Sequence, residues 1–412
     1  MGFLQGFDIF PNGFAVTGLH GRRSITNEKY KKHQSERIFC GGVFLLKKVA
    51  VIFGGEACER EISIITGTFA CNVLRGGKYS VLPVFLDEKK RAWTSEKFFE
   101  IGAFKEKDFL KKAEEIIIKG GTVYALNEKN NRLKRLCSLV GALNCCHGGF
   151  GEGGGVSAWM EMQGVPLASP PMAASAICLD KALTKVVAKG LNIPIVDGMR
   201  VRECDYRHRG EFLLKNIARR LKFPVIIKPT HLGSSIGIRV AKDEEETKRA
   251  IEAAFQLDNC VLIERFLEAK RDVNCAAYSL GDEVYVSEAE EAFSAANCVY
   301  GFQEKYLKKE QKCGGRVLLS GILRQKIRSY TRTIYKKLNL VGVVRVDYLV
   351  EGDKVYLSEV NTVPGSLAYY LFCDRISETK SFLEALIDDA VSKNQESNKQ
   401  SISTGILNSI AK

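Results

Sequence analysis

The sequence lacks any apolar run of the roughly 18 to 20 residues that a helix needs to cross a bilayer. Its best candidate, residues 43–53, is short and contains Lys47 and Lys48. Nothing near the first residue joins a basic segment, a long apolar core and a small-residue cleavage site, which together make a secretory signal. We therefore expect a cytoplasmic protein with no membrane partner.

Paired cysteines are also lacking. The chain has 13 cysteines, but it contains no CxxC pair and no spacing typical of zinc ligands. Several of them, such as Cys71, Cys145 and Cys178, lie within apolar runs. This pattern indicates reduced, buried thiols, and it argues against a disulfide framework and against structural zinc.

Positive charge is in excess, but its distribution does not favour a nucleic-acid partner. The net charge is +13, from 61 Lys or Arg and 48 Asp or Glu. The first 48 residues alone hold eight Lys or Arg and three Asp or Glu. The rest of the surplus is spread along the chain without a basic stripe or a ladder of aromatic residues. We therefore expect no nucleic-acid partner, although a polyphosphate site would also need local positive charge.

Both ends of the chain predict little fixed structure. Residues 1–47 are Gly-rich, then aromatic and basic, without the periodicity of a strand or a helix. We interpret them as disordered, or as an extension that is not translated; the next methionine after Met1 is Met160, so a later start would need another codon. Residues 395–412 are polar and are expected to form a frayed tail.

An α/β domain begins at Lys48. Residues 49–53 and 80–86 read as strands, and residues 59–74 between them read as an amphipathic helix. A helical stretch at 109–119, a short hairpin and a strand at 139–146 follow. The strand–helix–strand order predicts an open parallel sheet.

The segment 223–240 reads as a strand, a tight polar loop and a second strand. Gly233, Ser234, Ser235 and Gly237 occupy the loop, and Lys228 ends the first strand. Glycines let the backbone approach a ligand closely, and successive N–H groups and hydroxyls can surround an anion. Such a loop is suited to covering a polyphosphate, but Gly and Ser are common turn residues, and taken alone the segment favours an ordinary hairpin slightly.

A second Gly-rich segment, residues 149–154, satisfies GxGxxG. A dinucleotide site would require an acidic residue about 20 positions further on, at the end of the next strand. The next strand, residues 165–169, is followed by Pro170 and Pro171. The segment therefore gives little support to a nicotinamide or flavin site.

The strands predicted at 341–350 and 355–361 carry polar side chains in an apolar setting. Arg345 and Asp347 are two residues apart and share a face, as do Glu359 and Asn361. Their carboxylate and amide oxygens are the ligands that Mg²⁺ prefers. The alternative is a solvated face with surface ion pairs. A three-residue turn at 352–354 would place Asp347 opposite Glu359, whereas a two-residue turn would separate them unless a bulge intervened.

Eight segments together resemble the D-alanine–D-alanine ligases of the ATP-grasp superfamily, over residues 48–392. They are GGEACEREIS (54–63), HGGFGEGG (147–154), LDKALTK (179–185), FPVIIKPTHLGSSIG (223–237), VLIERFL (261–267), EKY (304–306), VRVDY (344–348) and EVNTVPG (359–365). The resemblance implies an α/β fold, α+β in the ATP-grasp part, with three domains. These would be an N-terminal open parallel-sheet domain at 48–148, a central ATP-grasp subdomain at 149–264 and a C-terminal one at 265–394.

The resemblance implies ATP and two Mg²⁺ ions as cofactors, with Mn²⁺ as an alternative metal. Lys181 and Lys228 would contact the phosphates under a flap containing Ser234 and Ser235. Glu264 and the backbone of Phe266 and Leu267 would hold adenine, with Asp272 at the ribose and Lys305 nearby. The metal ligands would be Asp347, Glu359 and Asn361.

The resemblance also implies a reaction and its substrate site. ATP would phosphorylate one D-alanine, and the amine of a second would attack the acyl phosphate. The residues implied in substrate binding and catalysis are Glu59, His147, Ser234, Tyr300, Lys305, Tyr306, Arg345, Gly365 and Tyr370. The loop at 292–315 would be a lid, and the family resemblance suggests a homodimer. From the residues alone, Glu59 could instead be a helix N-terminal carboxylate, and His147 a hydrogen-bonded loop histidine.

One departure from the family pattern concerns the acceptor. The family usually has a Ser five residues after Gly365 that holds the acceptor carboxylate, and here that position is Tyr370. Tyr369, Tyr370 or Ser366 would have to substitute for it. A ligase with another acceptor, such as D-serine, is therefore the second hypothesis. An inactive ATP-binding protein is the third, which the intact set of catalytic residue types disfavours.

Overall fold

The structure, a computed structural model, describes residues 38–40, 43–45, 47–127, 132–292, 315–316 and 319–396. The loop residues Tyr300, Lys305 and Tyr306, most of the N-terminal extension and the C-terminal tail from 397 lie outside these ranges. The chain divides into two units, 1–45 and 46–412. In the first, β1 (Ile38–Cys40) and β2 (Val43–Leu45) form an antiparallel hairpin. Within the described residues, every helix is too short or too polar to cross a membrane.

The first sheet of the second unit is parallel at its centre. Strand β3 (Lys48–Gly54) pairs in parallel with β4 (Ser80–Leu86), and α1 (Arg60–Leu74) connects the two strands as predicted. The sheet continues through antiparallel strands: β5 (Ala92–Thr94), β6 (Glu114–Lys119), β7 (Thr122–Asn127) and β8 (Arg132–Asn144).

This sheet is closed, whereas the sequence predicted an open one. The difference lies in β8, which is 13 residues long. Its first part pairs antiparallel with β7, and its last part, residues 139–144, pairs in parallel with β3. Strand β8 thus joins β7 to β3 and closes the sheet. The predicted strand, 139–146, did not show this closure because it lacked the part of β8 that pairs with β7.

The helix predicted at 109–119 is wrong. A 3-10 turn occupies Phe109–Lys112, and β6 follows at once. Ile116, Ile117 and Ile118 are consecutive β-branched residues, which favour a strand, and Ile116 and Ile118 alternate into the core. The strand pairing on both sides of β6 decides the conformation.

The region 172–190 consists of two helices. The glycine segment ends in a π-helical turn (Gly151–Gly155) that continues into α2 (Val156–Met162). Then α3 (Met172–Leu179) and α4 (Lys181–Gly190) meet at Asp180, whose carboxylate caps α4. The side chain accepts hydrogen bonds from the amides of Ala182 and Leu183, so the chain turns here rather than continuing as one helix.

The second sheet is antiparallel and has four strands in the order β11–β10–β12–β9. Helices α5 (Glu203–Leu221) and α6 (Glu244–Ala254) cover its apolar face. The strands are β9 (Gly198–Arg202), β10 (Val225–Pro229), β11 (Arg239–Ala241) and β12 (Cys260–Arg265). Because side chains alternate, Val225 and Ile227 pack under the helices while Lys228 points to the opposite face. Residues 230–238, between β10 and β11, are called the polar loop below.

The third sheet is also antiparallel, and its spine is β13 (Arg271–Leu280), β17 (Val344–Glu351) and β18 (Lys354–Asn361). Three short strands extend it: β14 (Glu283–Val286), β15 (Glu290–Ala292) and β16 (Gly315–Arg316). Helix α7 (Gly321–Lys337) packs on one face through Leu323, Ile327 and Ile334. Arg345 and Asp347 therefore lie on the other face.

Helix α8 (Ile376–Glu396) closes the C-terminal part of the unit against the first sheet. Its Leu383, Leu386 and Ile387 share one core with residues of α1 and β3. Asp388 adds polar contacts, since it accepts hydrogen bonds from Lys78 Nζ at 2.9 Å and from the Tyr79 hydroxyl. The beginning and the end of this unit are thus packed together.

Candidate active site

The hairpin of β17 and β18 brings its polar side chains to one face by means of a bulge. The turn has two residues, since Glu351 pairs with Lys354. The register then shifts between Asp347 and Tyr348, so that Asp347 pairs with Glu359 and Arg345 with Asn361. Of the two arrangements that would join the carboxylates, the molecule uses the two-residue turn with an extra residue in β18.

Asp347 is the centre of a hydrogen-bonded group on this face. Arg345 donates to both of its oxygens, at 2.8 and 2.9 Å, and Asn361 Nδ2 donates to it at 3.0 Å. Burial by itself would lower the pKa of Arg345, but the Asp347 carboxylate and Tyr370 hold it well above its usual value. The guanidinium is therefore a permanent positive charge beside the carboxylates.

The oxygens of Asp347, Glu359 and Asn361 form a donor set that suits a hard divalent cation such as Mg²⁺. Across the described residues, no three His, Cys, Asp or Glu side chains converge as a complete metal-binding group. A cation at this hairpin would therefore complete its coordination with water and with oxygens of a bound ligand, which is how Mg²⁺ usually binds beside a polyphosphate.

Lys181 connects the polar loop to the β17–β18 hairpin. Its Nζ donates to the carbonyl of Leu232 at 2.6 Å and lies 3.4 Å from Glu359 Oε2. Lys228 belongs to the same electrostatic environment: burial by itself would lower its pKa, but Glu264, Glu359 and Asp272 raise it. Charged groups from the second and third sheets thus lie close together around Lys181 and Lys228.

Glu264 is buried between two lysines, only one of which the sequence assigned to the site. Its two oxygens lie 2.8 Å from Lys185 Nζ and 2.7 Å from Lys228 Nζ. Burial by itself would raise its pKa, but the two ammonium groups lower it to about 2. Lys185 also donates to the carbonyl of Leu357 at 2.6 Å. Its position one turn after Lys181 in α4 was the signal available in the sequence.

Phe266, Leu267 and Asp272, which the family resemblance assigns to adenine and ribose binding, follow Glu264 in the chain. The Phe266 amide donates to the Pro224 carbonyl at 3.1 Å, so this amide is already engaged within the protein. Leu267 is buried in a small apolar cluster with Val196 and Leu349. Asp272 forms an ion pair with Lys270. A ribose hydroxyl would therefore share the Asp272 carboxylate with this lysine.

Glu59 points at the polar loop and is not a capping side chain. It precedes α1, but its carboxylate makes no capping hydrogen bond; Ser234 Oγ donates to its Oε1 instead. A Cβ placed on Gly233 would lie 2.5 Å from Glu59 Oε2, so a larger residue here would require the Glu59 carboxylate to move. Ser234 and Ser235 both have positive φ, 51° and 60°, a strained conformation that is typical of ligand-binding loops.

His147 contacts α1, the helix that follows Glu59. Its Nε2 is 2.8 Å from Thr66 Oγ1, and the residue is buried. Burial and the nearby Arg345 lower its pKa to about 4, so the imidazole is neutral at physiological pH. These contacts match the alternative of a hydrogen-bonded loop histidine, in a position beside the substrate region.

Glu152 is a residue of this region that the sequence reasoning missed. The GxGxxG pattern drew attention to its glycines, yet Glu152 accepts hydrogen bonds from the amides of Gly148 at 2.8 Å and Val363 at 3.4 Å. Burial, Glu59 and Glu359 raise its pKa to about 7. The side chain thus ties the loop after β8 to the segment after β18, and its ionisation falls near neutral pH.

The segment expected to bind the acceptor has an unusual backbone. After Gly365, residues Ser366, Leu367 and Ala368 have φ of 50°, 53° and 47°, which is costly for residues with a Cβ. This turn places the Tyr370 hydroxyl 3.5 Å from Arg345. Tyr369 stacks instead on Phe69, with ring centroids 5.1 Å apart. Tyr370 is therefore the tyrosine that reaches the polar face of the hairpin.

The second sheet carries Lys228 and Glu264, the third carries Asp347 and Glu359, and Lys181 of α4 connects the two, as in an ATP-grasp protein. The family models described as D-ala D-ala ligase N-terminus and D-ala D-ala ligase C-terminus match residues 48–170 and 187–392. The chain belongs to the D-alanine–D-alanine ligase family.

Individual relatives agree with this assignment. The D-alanine--D-alanine ligase of Thermosipho melanesiensis is 30% identical over 367 residues, which are 87% of this chain and 98% of the relative. The crystal structure of the Helicobacter pylori D-alanine-D-alanine ligase has 29% identity and a TM-score of 0.65, and the match covers 83% of this chain and 98% of that one. The VanG D-Ala:D-Ser ligase of Enterococcus faecalis shares the fold at 23% identity and a TM-score of 0.65, over 85% and 100% of the two chains.

Proposed function

We propose that this protein is an ATP-dependent ligase that joins two D-alanines into D-alanyl-D-alanine for peptidoglycan synthesis in the cytoplasm. The observation that carries the proposal is the position of Lys181, which donates to the polar loop at Leu232 and lies 3.4 Å from Glu359 of the acid-bearing hairpin. A single side chain that contacts both elements in this way supports a site where phosphate-binding and metal-binding groups would reach one nucleotide.

The nucleotide would lie between the second and third sheets. Lys181 and Lys228 would neutralise its phosphates beneath Ser234 and Ser235, and the Glu264 end of β12 would contact the adenine. Asp347, Glu359 and Asn361 would hold two Mg²⁺ ions. When bound, these ions would neutralise phosphate charge and make the γ-phosphate easier to attack.

The reaction would use the groups around Glu59. Its carboxylate would bind the ammonium of the first D-alanine, whose own carboxylate would attack the γ-phosphate of ATP and release ADP. The free amine of the second D-alanine would then attack the acyl phosphate carbon, forming the peptide bond and releasing phosphate. Arg345 and the Gly365 amide would stabilise the tetrahedral oxyanion. Tyr306 and the rest of the 292–315 loop would exclude water; their part in the reaction stays a prediction.

The acceptor is the least constrained part of this proposal. Tyr370 stands where the family has a Ser, with its hydroxyl 3.5 Å from Arg345. Because Arg345 donates to the hydroxyl oxygen, the phenol would donate its own proton to the acceptor carboxylate. The same replacement supports a second candidate, a ligase that uses a larger or more polar acceptor such as D-serine.

Product identification by mass spectrometry tests both candidates. The purified protein is incubated with ATP, Mg²⁺ and D-alanine, and then with D-alanine plus each of a panel of other D-amino acids. We expect D-alanyl-D-alanine and stoichiometric phosphate release from D-alanine alone. Turnover that requires another acceptor would favour the second candidate, and the absence of nucleotide hydrolysis under every condition would refute the ligase proposal.

We also propose the three-domain division at 48–148, 149–264 and 265–394.

We further propose that the protein forms a homodimer. An apolar groove of about 870 Å³ supports the dimer, since Phe150, Met162 and Met172 line it and expose 42%, 83% and 49% of their surfaces. A second copy related by a two-fold axis would cover such a patch. Light scattering on wild type and on Met162→Glu tests this; a wild-type monomer would refute it.

A further inference from the structure

His231 lies at the start of the polar loop, between two buried carboxylates. Its Nδ1 is 2.9 Å from Asp258 Oδ1, and its Nε2 is 3.5 Å from Asp180 Oδ2. Both aspartate side chains are only 5% exposed. A neutral imidazole carries one N–H, so only the imidazolium presents a proton to both partners. None of the roles assigned above accounts for this arrangement.

Asp258 fixes the beginning of the polar loop. It lies between α6 and β12 and accepts a hydrogen bond from the His231 amide at 2.8 Å, in addition to the contact with the ring. Thr230, which precedes His231, is fully buried, and its amide donates to the Cys260 carbonyl at 3.1 Å. The loop therefore leaves β10 from an anchored position.

Asp180 connects the same histidine to the helix that carries Lys181. Its Oδ1 caps α4 through the amides of Ala182 and Leu183, while its Oδ2 faces His231. Lys181 follows directly: its amide donates to the Thr230 carbonyl at 3.0 Å and its Nζ donates to Leu232 at 2.6 Å. Thr230 and Leu232, the neighbours of His231 in the polar loop, thus both accept hydrogen bonds from Lys181, which directly follows Asp180.

The charges around His231 favour its protonated form. Asp258 faces it from the segment before β12, Asp180 from the junction of α3 and α4, and Arg200 from β9. The hydrogen bond to Asp258 raises the pKa of His231 above 6.5, against the effects of burial and of Arg200. A raised pKa means that the ionic contacts are complete at low pH and are lost as the pH rises through that pKa.

We propose that His231 is a positioning residue that holds the polar loop against the helix bearing Lys181 and thereby sets the affinity of the cleft for an adenine nucleotide. The inference rests on the proposed function only in that the loop covers the phosphates of ATP. It assigns no chemistry to His231. The effect belongs to binding, because His231 contacts neither of the groups proposed to take part in the transfer, Glu59 and Arg345.

The test compares wild type with His231→Asn and His231→Arg, using His208→Asn, an exposed histidine on α5, as the matched control. Binding of Mg–ADP is measured by titration calorimetry at about pH 6 and about pH 9, and kcat and KM for ATP are measured in parallel. We expect His231→Asn to weaken Mg–ADP binding about tenfold at about pH 6 and to raise the KM for ATP more than it lowers kcat. Wild type should weaken by about the same factor as the pH rises, and His231→Arg should depend less on pH.

Two results would overturn the proposal. One is wild-type affinity in His231→Asn at both pH values, and the other is the same pH dependence in wild type, His231→Asn and His231→Arg. Because Mg–ADP binding needs no acceptor, these results are independent of whether the product is D-alanyl-D-alanine. A wild-type protein that does not bind Mg–ADP at all would refute the proposed function, and this inference with it.

Discussion

Replacing Glu264 with glutamine tests whether its buried carboxylate stabilises the folded protein by pairing with two buried lysines. The side chain is 1% exposed, and its oxygens lie 2.8 and 2.7 Å from Lys185 and Lys228. Glutamine keeps the shape and one acceptor oxygen, but its NH₂ group is a donor and cannot pair with an ammonium. Both lysines would therefore lose their counterion, and one of them would also lose its acceptor oxygen.

The size of the effect follows from the pKa of Glu264. A fall from 4.5 to about 2 corresponds to about 3 kcal/mol, at about 1.4 kcal/mol for each pKa unit. Breaking a buried ion pair by removing one partner costs roughly 3 to 5 kcal/mol, which agrees. Since the folded-state pKa is lowered, the stabilisation is complete above pH 4.5 and is lost as the pH falls towards about 2.

Urea denaturation of the nucleotide-free protein, followed by circular dichroism, measures this effect. Glu264→Gln should lose about 3 kcal/mol at neutral pH, and less in acid. The control is Glu351→Gln, whose partner Arg265 is 3.4 Å away in a pair that is 30% and 42% exposed and should contribute about 1 kcal/mol or less. Equal losses in the two variants would refute the argument. Adding Lys185→Met to Glu264→Gln should recover part of the stability, because it removes an unpaired ammonium.

Three further predictions concern other parts of the molecule. Arg345→Ala should lower kcat for phosphate release with D-alanine on the order of 100-fold while the protein stays folded, because charge on the oxyanion loses its stabilising group; an unchanged rate would contradict the assignment. Wild-type stability to urea should fall between about pH 5 and about pH 8 because the raised pKa of Glu152, about 7, disfavours its ionised form in the folded state. In Glu152→Gln that part of the fall should be absent, and an equal slope would show that Glu152 does not titrate there. Asp388→Asn should cost about 1 kcal/mol in the same assay through weaker contacts with Lys78 and Tyr79, and no change would mean that these contacts add nothing to apolar packing.

Local pattern was a good guide where neighbouring residues decide the conformation. Helix α1 was predicted within one residue at its start, and the hairpin of β10 and β11 was predicted with its polar loop. Where the conformation depends on partners far along the chain, as in β6 and the long β8, the same reasoning failed.

The hairpin of β17 and β18 shows the limit most clearly. The residues Asp347 and Glu359 were evident as polar positions in apolar strands, yet two registers were compatible with the turn. The molecule combines the two-residue turn with a bulge, because only that combination keeps Tyr348 and Leu357 in the core while both carboxylates share the opposite face.

The sequence by itself determined which chemical groups the site contains, since residue types and their order identify the family and place lysines, carboxylates and glycines on particular strands and loops. Only the tertiary structure decided how those groups pair. Lys185 meets a carbonyl 172 residues away, Glu59 meets Ser234 across 175 residues, and His231 lies between two aspartates from separate segments. Such contacts depend on the packing of whole sheets against each other, and burial then sets the charge state of each group.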